Sequence, residues 1–263
     1  MEFNYKGFKL LCQANTYDLL DWLYEQLSEL YDEKNVVYFP RWAYFKGTSP
    51  VCLCAHLDTV HKEPVRDMFI EAEKLIIHSP QGIGGDDRCG VWIILKILQS
   101  LEEGAGLPSL FFSTDEECGS ASTKIACEFL KKECANLMED VRFFVQLDRR
   151  NKNDSVYYNC GNKDFEKYIN AYGFDTAQGT RTDICILCDQ FDVAGVNLSC
   201  GFEGEHQTSE IVNVETMLST TEKLLKIIQE ADKDVIFDYQ PKIKSYGTGV
   251  GTGWSGNNIH DYY

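Results

Sequence analysis

Apolar residues recur along this chain with two different periods, and the switching between them predicts the order of elements. Leu19, Leu20, Leu23, Leu27 and Leu30 share one face at helical spacing. They predict a helix over 17–31 that Asn15 or Thr16 caps. Two short strand-like runs follow at 36–39 and 43–45 and are expected to pair. The run 51–57 is apolar almost without a break, as in a strand buried on both faces of a sheet. A hairpin-like stretch at 69–77 leads into a glycine-rich loop at 81–85, after which Val91, Ile94, Leu95, Leu98 and Leu101 restore the helical period. Further strands are predicted at 110–113, 141–147, 155–159 and 196–200. Further helices are predicted at 122–134, 164–172, 184–191 and 214–230, the last capped by Asn213.

Strands alternating with helices imply an α/β fold. The expectation is a single domain of three αβα layers around a central, mostly parallel mixed sheet. That domain is expected over 1–231. Residues 232–263 read as a C-terminal tail that is flexible in part. The tail carries Gly247, Gly249, Gly251, Gly253 and Gly256 but no Lys-Ser/Thr and no following helix, so it is not a phosphate loop.

Composition narrows the function classes. The 263 residues are enough for a buried core without disulfide or metal staples. Hydrophobic residues at 44% and charged residues at 25% are ordinary for a globular protein, which excludes a disordered chain. No run approaches the ~18 apolar residues of a membrane span, and the N-terminus lacks the basic-then-apolar pattern of a secretory signal. The eleven cysteines, an odd number, then read as reduced thiols of a cytoplasmic protein. Cys185 and Cys188 have CxxC spacing but no second pair, and read as core residues. A net charge of −16 argues against nucleic-acid or membrane partners.

Five short motifs carry the candidate chemistry. In Cys54-Ala55-His56-Leu57-Asp58, alternation along an extended chain points His56 and Asp58 the same way. A strand-end histidine beside an exposed aspartate is the commoner reading of that motif alone. In Gly82-Ile83-Gly84-Gly85-Asp86-Asp87, glycines permit a sharp turn and two acids open the next helix. One aspartate would serve as a cap; two exceed that need. The run 110–113 ends in Asp115, Glu116 and Glu117, solvated loop charge or two acids with divided tasks. The fourth motif is the apolar run 143–147 ending in Asp148, and the fifth is Gly204-Glu205-His206 beyond the 196–200 strand.

Spacing joins them. His56, Asp86, Glu117 and Asp148 follow one another at 30, 31 and 31 residues, about one strand-plus-helix unit of a parallel sheet. His56, Glu117 and Asp148 are therefore expected at the C-terminal ends of strands, where open α/β sheets build their sites. Three converging carboxylates repel one another without a cation. Two divalent ions balance three carboxylates and one hydroxide. Oxygen and nitrogen ligands with no thiolate suit catalytic zinc, or cobalt or manganese, rather than a structural zinc.

As a set over roughly 50–230, these motifs resemble the zinc-dependent exopeptidase superfamily that includes peptidase T, the bacterial leucyl aminopeptidases and the aminoacylase and carboxypeptidase relatives. The resemblance implies two divalent metal ions, zinc first, with Asp86 bridging both. It implies His56 and Asp148 on one metal, Glu117 and His206 on the other, Asp58 orienting His56, and Glu116 as general base toward a water bridging the metals. It further implies a cis peptide before Asp87, and Asp183 as a supporting acid near the His206 loop. The expected activity is hydrolysis of a peptide or amide bond by an aminopeptidase-like exopeptidase. A deacylase of N-acyl amino acids or amino sugars would use the same metals, and a catalytically silent, metal-stabilised binding protein is the alternative from another class. The sequence departs from many relatives in one respect: the 58 residues from Asp148 to His206 are too few for an inserted lid domain. A bare catalytic core with this charge is expected to be a monomer or weak dimer. Arg149 and Arg150 are surface charges or contacts for a substrate carboxylate, and His61, His78 and His260 read as ordinary surface histidines.

Overall fold

The computed structural model describes residues 1–158 and 162–241. Among the described residues the strands are β1 (Val36–Phe39), β2 (Trp42–Phe45), β3 (Val51–His56), β4 (Phe69–Glu71), β5 (Ile76–His78), β6 (Ser109–Ser113), β7 (Phe143–Arg149), β8 (Asp154–Val156), β9 (Asp175–Thr176), β10 (Ala194–Ser199), β11 (Phe202–Glu203) and β12 (Ile211–Asn213). The helices are α1 (Tyr5–Gln13), α2 (Thr16–Ser28), α3 (Gly85–Ser100), α4 (Ala121–Glu133), α5 (Lys163–Asn170), α6 (Ile184–Phe191) and α7 (Val214–Glu230). Eight strands form one sheet in the order β1-β2-β6-β3-β7-β10-β8-β9. Its centre, β6-β3-β7-β10, is parallel, and β1, β2 and β8 pair antiparallel. A second, antiparallel sheet, β11-β12-β5-β4, lies beyond the C-terminal ends of the central strands in the chain path.

The period-two alternation of the central strands sorts their side chains into two apolar layers. Val51, Leu53, Ala55, Phe143, Val145 and Leu147 face the layer that contains Leu20 and Leu23 of α2, Ile93 of α3 and Met217 of α7. The alternate residues Cys52, Cys54, Phe111 and Phe144 face Ala126 and Leu130 of α4 and Leu187 of α6. Strands covered on both sides need no polar face, which is why β3 is buried along its whole length. The thiols of Cys52 and Cys54 act here as small apolar side chains. The expected three-layer α/β architecture is the one observed. Among the described residues no helix is long and apolar enough to cross a membrane.

Several details differ from the sequence reading. Helix α1 was not anticipated, because only Phe8, Leu11 and Cys12 are buried on it; Asn4 caps it by accepting from the Gly7 amide. Strand β7 continues through Asp148 to Arg149 rather than stopping before them. The stretch assigned to the tail begins docked: Phe237 packs against Phe143 and Phe165, and its carbonyl accepts from the Ala194 amide. The rest of the tail, 242–263, with its glycines and His260, lies outside the described residues, as does Asn159 at the end of the predicted 155–159 strand.

Candidate metal centre

The C-terminal ends of β3, β6 and β7 lie side by side, since β3 pairs with both of the others. His56 is the last residue of β3, Glu116 and Glu117 occupy a tight turn just after β6, and Asp148 sits near the end of β7. The glycine loop delivers Asp86 to the same place. Gly82 and Gly84 both take positive φ there, the Asp86–Asp87 peptide is cis, and regular helix begins only after these two acids.

Asp86 lies between two histidines. Its Oδ1 is 3.0 Å from His56 Nε2 and its Oδ2 is 3.5 Å from His206 Nε2. Asp148 Oδ1 approaches the same His56 nitrogen at 3.6 Å, whereas Glu117 Oε2 approaches His206 Nε2 at 3.1 Å. Ligand atoms of His56, Asp86 and Glu117 all fall within 4.8 Å of one another. The four residues joined by sequence spacing and His206, added by the resemblance, converge as two histidine–carboxylate pairs on either side of one shared carboxylate.

A further ring of polar contacts holds that geometry. Asp58 accepts from the Glu116 and Glu117 amides, one on each oxygen, while its Oδ1 lies 3.2 Å from His56 Nδ1. One carboxylate thus ties the end of β3 to the turn after β6. Asp87 is completely buried, accepting from the His56 amide and, at the start of α3, from the Gly90 amide. Asp148 accepts from Thr182 Oγ1, and its amide donates to Asn197. Asp183, expected beside the His206 loop, instead accepts from Ser113 and Thr123, buttressing the end of β6 against α4.

The electrostatics describe a pocket short of positive charge. Burial, followed by the charge of Asp86, pushes the Asp148 carboxyl up to about 7. Burial likewise lifts Glu116 to about 8, against the pull of His56, and raises Glu117 and Asp87. Burial would lower the His56 pKa, but hydrogen bonds to Asp148, Asp58 and Asp86 outweigh it and hold the value well above the ordinary one. His206 rises to about 9, chiefly through Asp86. Burial, with crowding of like charge, forces the carboxyls upward, and the same carboxylates hold the imidazoles protonated. Divalent cations relieve both effects, and the donor set, two imidazoles and three carboxylates with no thiolate, fits them.

Glu116 is the one acid of the cluster whose side chain has no hydrogen-bond or ion-pair partner among the described residues, while its amide is held by Asp58. It lines the same cleft, of about 120 Å³, as Asp86, Glu117 and Asp148. Arg149 and Arg150 line it too, but each is already paired, Arg149 with Asp154 at 3.0 Å and Arg150 with Glu205 at 2.6 Å. Arg181, overlooked in the sequence, is exposed at the cleft with no ion pair among the described residues. His61 was misread as a surface histidine: its side chain is 10% exposed and its Nε2 lies 3.1 Å from Glu210. His78 stacks on Phe69 in the second sheet. A larger groove of about 490 Å³ between α1, α2 and α3 is mainly apolar and is not lined by the acidic cluster.

No family model matches the sequence, and no curated protein matches it. Solved structures do. An aminopeptidase PepT from Bacillus cereus superposes with a TM-score of 0.63 at 13% identity, covering 85% of this chain and 96% of that one. A tripeptidase from Staphylococcus aureus gives 0.62 at 14%, with coverage of 85% and 96%. A TET aminopeptidase from a marine sediment thaumarchaeon gives 0.59 at 12%, with coverage of 86% and 96%. At these identities the likeness establishes the fold: this chain has the α/β architecture of those aminopeptidase structures, with the acidic cluster set at the C-terminal edge of its parallel strands.

Proposed function

We propose that this protein is a metal-dependent hydrolase of peptide or amide bonds, an exopeptidase of the aminopeptidase type. The observation that carries the proposal is the placement of Asp86, one oxygen toward His56 and the other toward His206. His56 and Asp148 would hold one divalent ion, Glu117 and His206 a second, and Asp86 both. Zinc is the first choice, with cobalt and manganese as substitutes. Bound there, the ions would acidify water toward a pKa of about 7 and polarise the scissile carbonyl.

The chain's own residues supply the rest. Glu116 faces the cleft with a free carboxylate and accepts the proton that water loses on attack; it then returns that proton to the leaving amine. Asp58 fixes the tautomer and direction of His56 through Nδ1. Arg181 presents a guanidinium to a substrate carboxylate, a task that Arg149 and Arg150 are too fully paired to share. The names of the similar structures, aminopeptidase and tripeptidase, support a peptide as substrate.

Glu116→Gln tests the proposal. The substitution is close to isosteric, and the amide hydrogen bond to Asp58 does not depend on the side chain. The variant should keep its fold and two equivalents of metal, yet lose about 10²-fold or more in turnover on aminoacyl or peptidyl substrates. Full activity with both metals bound removes Glu116 from the chemistry. Wild-type activity confined to N-acyl substrates, in a panel of aminoacyl, peptidyl and N-acyl compounds, would replace the exopeptidase assignment with a deacylase.

A further inference from the structure

His206 stands apart from the other four candidate ligands. Its side chain is 54% exposed, and its backbone takes a positive φ of 65° in the loop between β11 and β12. Packing does not hold it. Some other contact must set the distance between this loop and Asp86, which the proposed second metal requires.

Glu210, four residues further along the same loop, makes that contact. It is completely buried. Its Oε1 accepts from the Asp86 amide at 3.0 Å, and its Oε2 accepts from the Gly84 amide at 3.0 Å. His61 Nε2 closes on the same Oε2 at 3.1 Å. Three segments meet on this one carboxylate: the loop of His206, the glycine loop that carries Asp86, and the segment that leaves β3 after His56 and Asp58. The glycines follow from the arrangement. A Cβ on Gly82 would stand 2.3 Å from the His61 ring, and one on Gly85 would stand 2.7 Å from Val212 and 3.2 Å from Glu210 Oε1. Gly82 and Gly85 therefore admit His61 and the β11–β12 hairpin to close range.

We propose that Glu210, oriented by His61, is a positioning residue that sets the separation of His206 from the shared ligand Asp86 and so controls occupancy of the second metal position. This rests on the metal-centre reading above. Among the described residues neither makes a hydrogen bond or ion pair to a side chain of the proposed ligands, and both act through the Asp86 backbone and the loop geometry.

The test uses cobalt(II), whose visible absorption reports ligand number and geometry, on chelator-stripped full-length protein. Wild type, Glu210→Gln and His61→Phe are titrated with cobalt in competition with a chromophoric chelator. Thermal midpoints of the metal-free proteins are recorded alongside. In Glu210→Gln an amide group is turned toward at least one backbone N–H, so the loop must shift. Expected is a loss of about 10-fold or more in affinity for one of two cobalt ions, with an altered spectrum for that ion. His61→Phe keeps a ring against Gly82 but removes the third partner, and should shift the same ion's affinity in the same direction by less. It also decides the matter if Glu210→Gln does not fold. Tight binding of two ions by wild type, with unchanged affinity and spectrum in the folded variants, overturns this inference alone. Wild-type protein that binds no cobalt overturns the metal centre and this inference together.

Discussion

Stripped of metal, the protein should lose stability as the pH rises, and the acidic cluster sets the scale. The Glu116 carboxyl is pushed up to about 8 from an ordinary 4.5, first by burial. Asp148 is pushed up to about 7 from 3.8 by burial and then by Asp86. Between those limits the folded protein retains protons that the unfolded chain has released, so stability falls with rising pH. His206 has the same sign: its raised pKa contributes stability that is fully present below its ordinary 6.5 and lost as pH rises through about 9. The lowered carboxyls of Asp58 and Asp86 contribute stability throughout this interval and lose it only in acid. Glu116 alone sets a penalty on the order of 4 kcal/mol once ionised. The neighbouring groups share one cluster and do not simply add to that figure. At about 2–4 °C per kcal/mol for a chain of this size, the melting midpoint should drop by roughly 10 °C between pH 5 and pH 8.5. Calorimetry of chelator-treated protein at the two pH values measures it. Glu116→Gln should show a smaller drop, and two equivalents of zinc should abolish or reverse it. A metal-free midpoint that is flat or rising over this range, or an equal drop in Glu116→Gln, would refute the electrostatic account of the pocket.

Three further outcomes are expected. Glu117→Ala should lose one metal equivalent outright in elemental analysis, whereas Asp58→Ala should weaken binding about 10- to 100-fold by releasing His56, read by chelator competition; equal retention in both would erase the distinction between them. Arg181→Ala should raise KM for peptides with a free carboxylate while leaving kcat and the metal content unchanged, and an unaltered KM would return Arg181 to the solvent surface. Light scattering at low micromolar concentration should report a monomer or weak dimer, because a charge of −16 opposes close self-association; a stable higher oligomer would assign assembly to a surface other than a lid.

Local chemistry carries far in this chain. The period of apolar residues is enough to place α2, α3, α7 and the buried strand β3, because helix and strand faces are written by neighbours within a few positions. The thirty-residue recurrence places His56, Asp86, Glu117 and Asp148 at one edge of the sheet, because a strand-plus-helix unit has a characteristic length. Helix α1 escapes that logic, since three buried residues make too short a pattern and the helix depends on packing against α3. The site's supporting contacts escape it more completely. Glu210 reaches His61 across 149 positions and the Asp86 amide across 124, Arg150 is neutralised by Glu205 across 55, and Asp183 turns to Ser113 across 70. A lone acid or histidine in a loop has no periodicity to mark it. That His56, Asp86, Glu117 and Asp148 gather at one end of the strands was legible from residue type and spacing, and His206 from the resemblance, but what holds them in place was decided only when the chain closed on itself, because a hydrogen bond selects its partner by distance in space and not by separation along the chain.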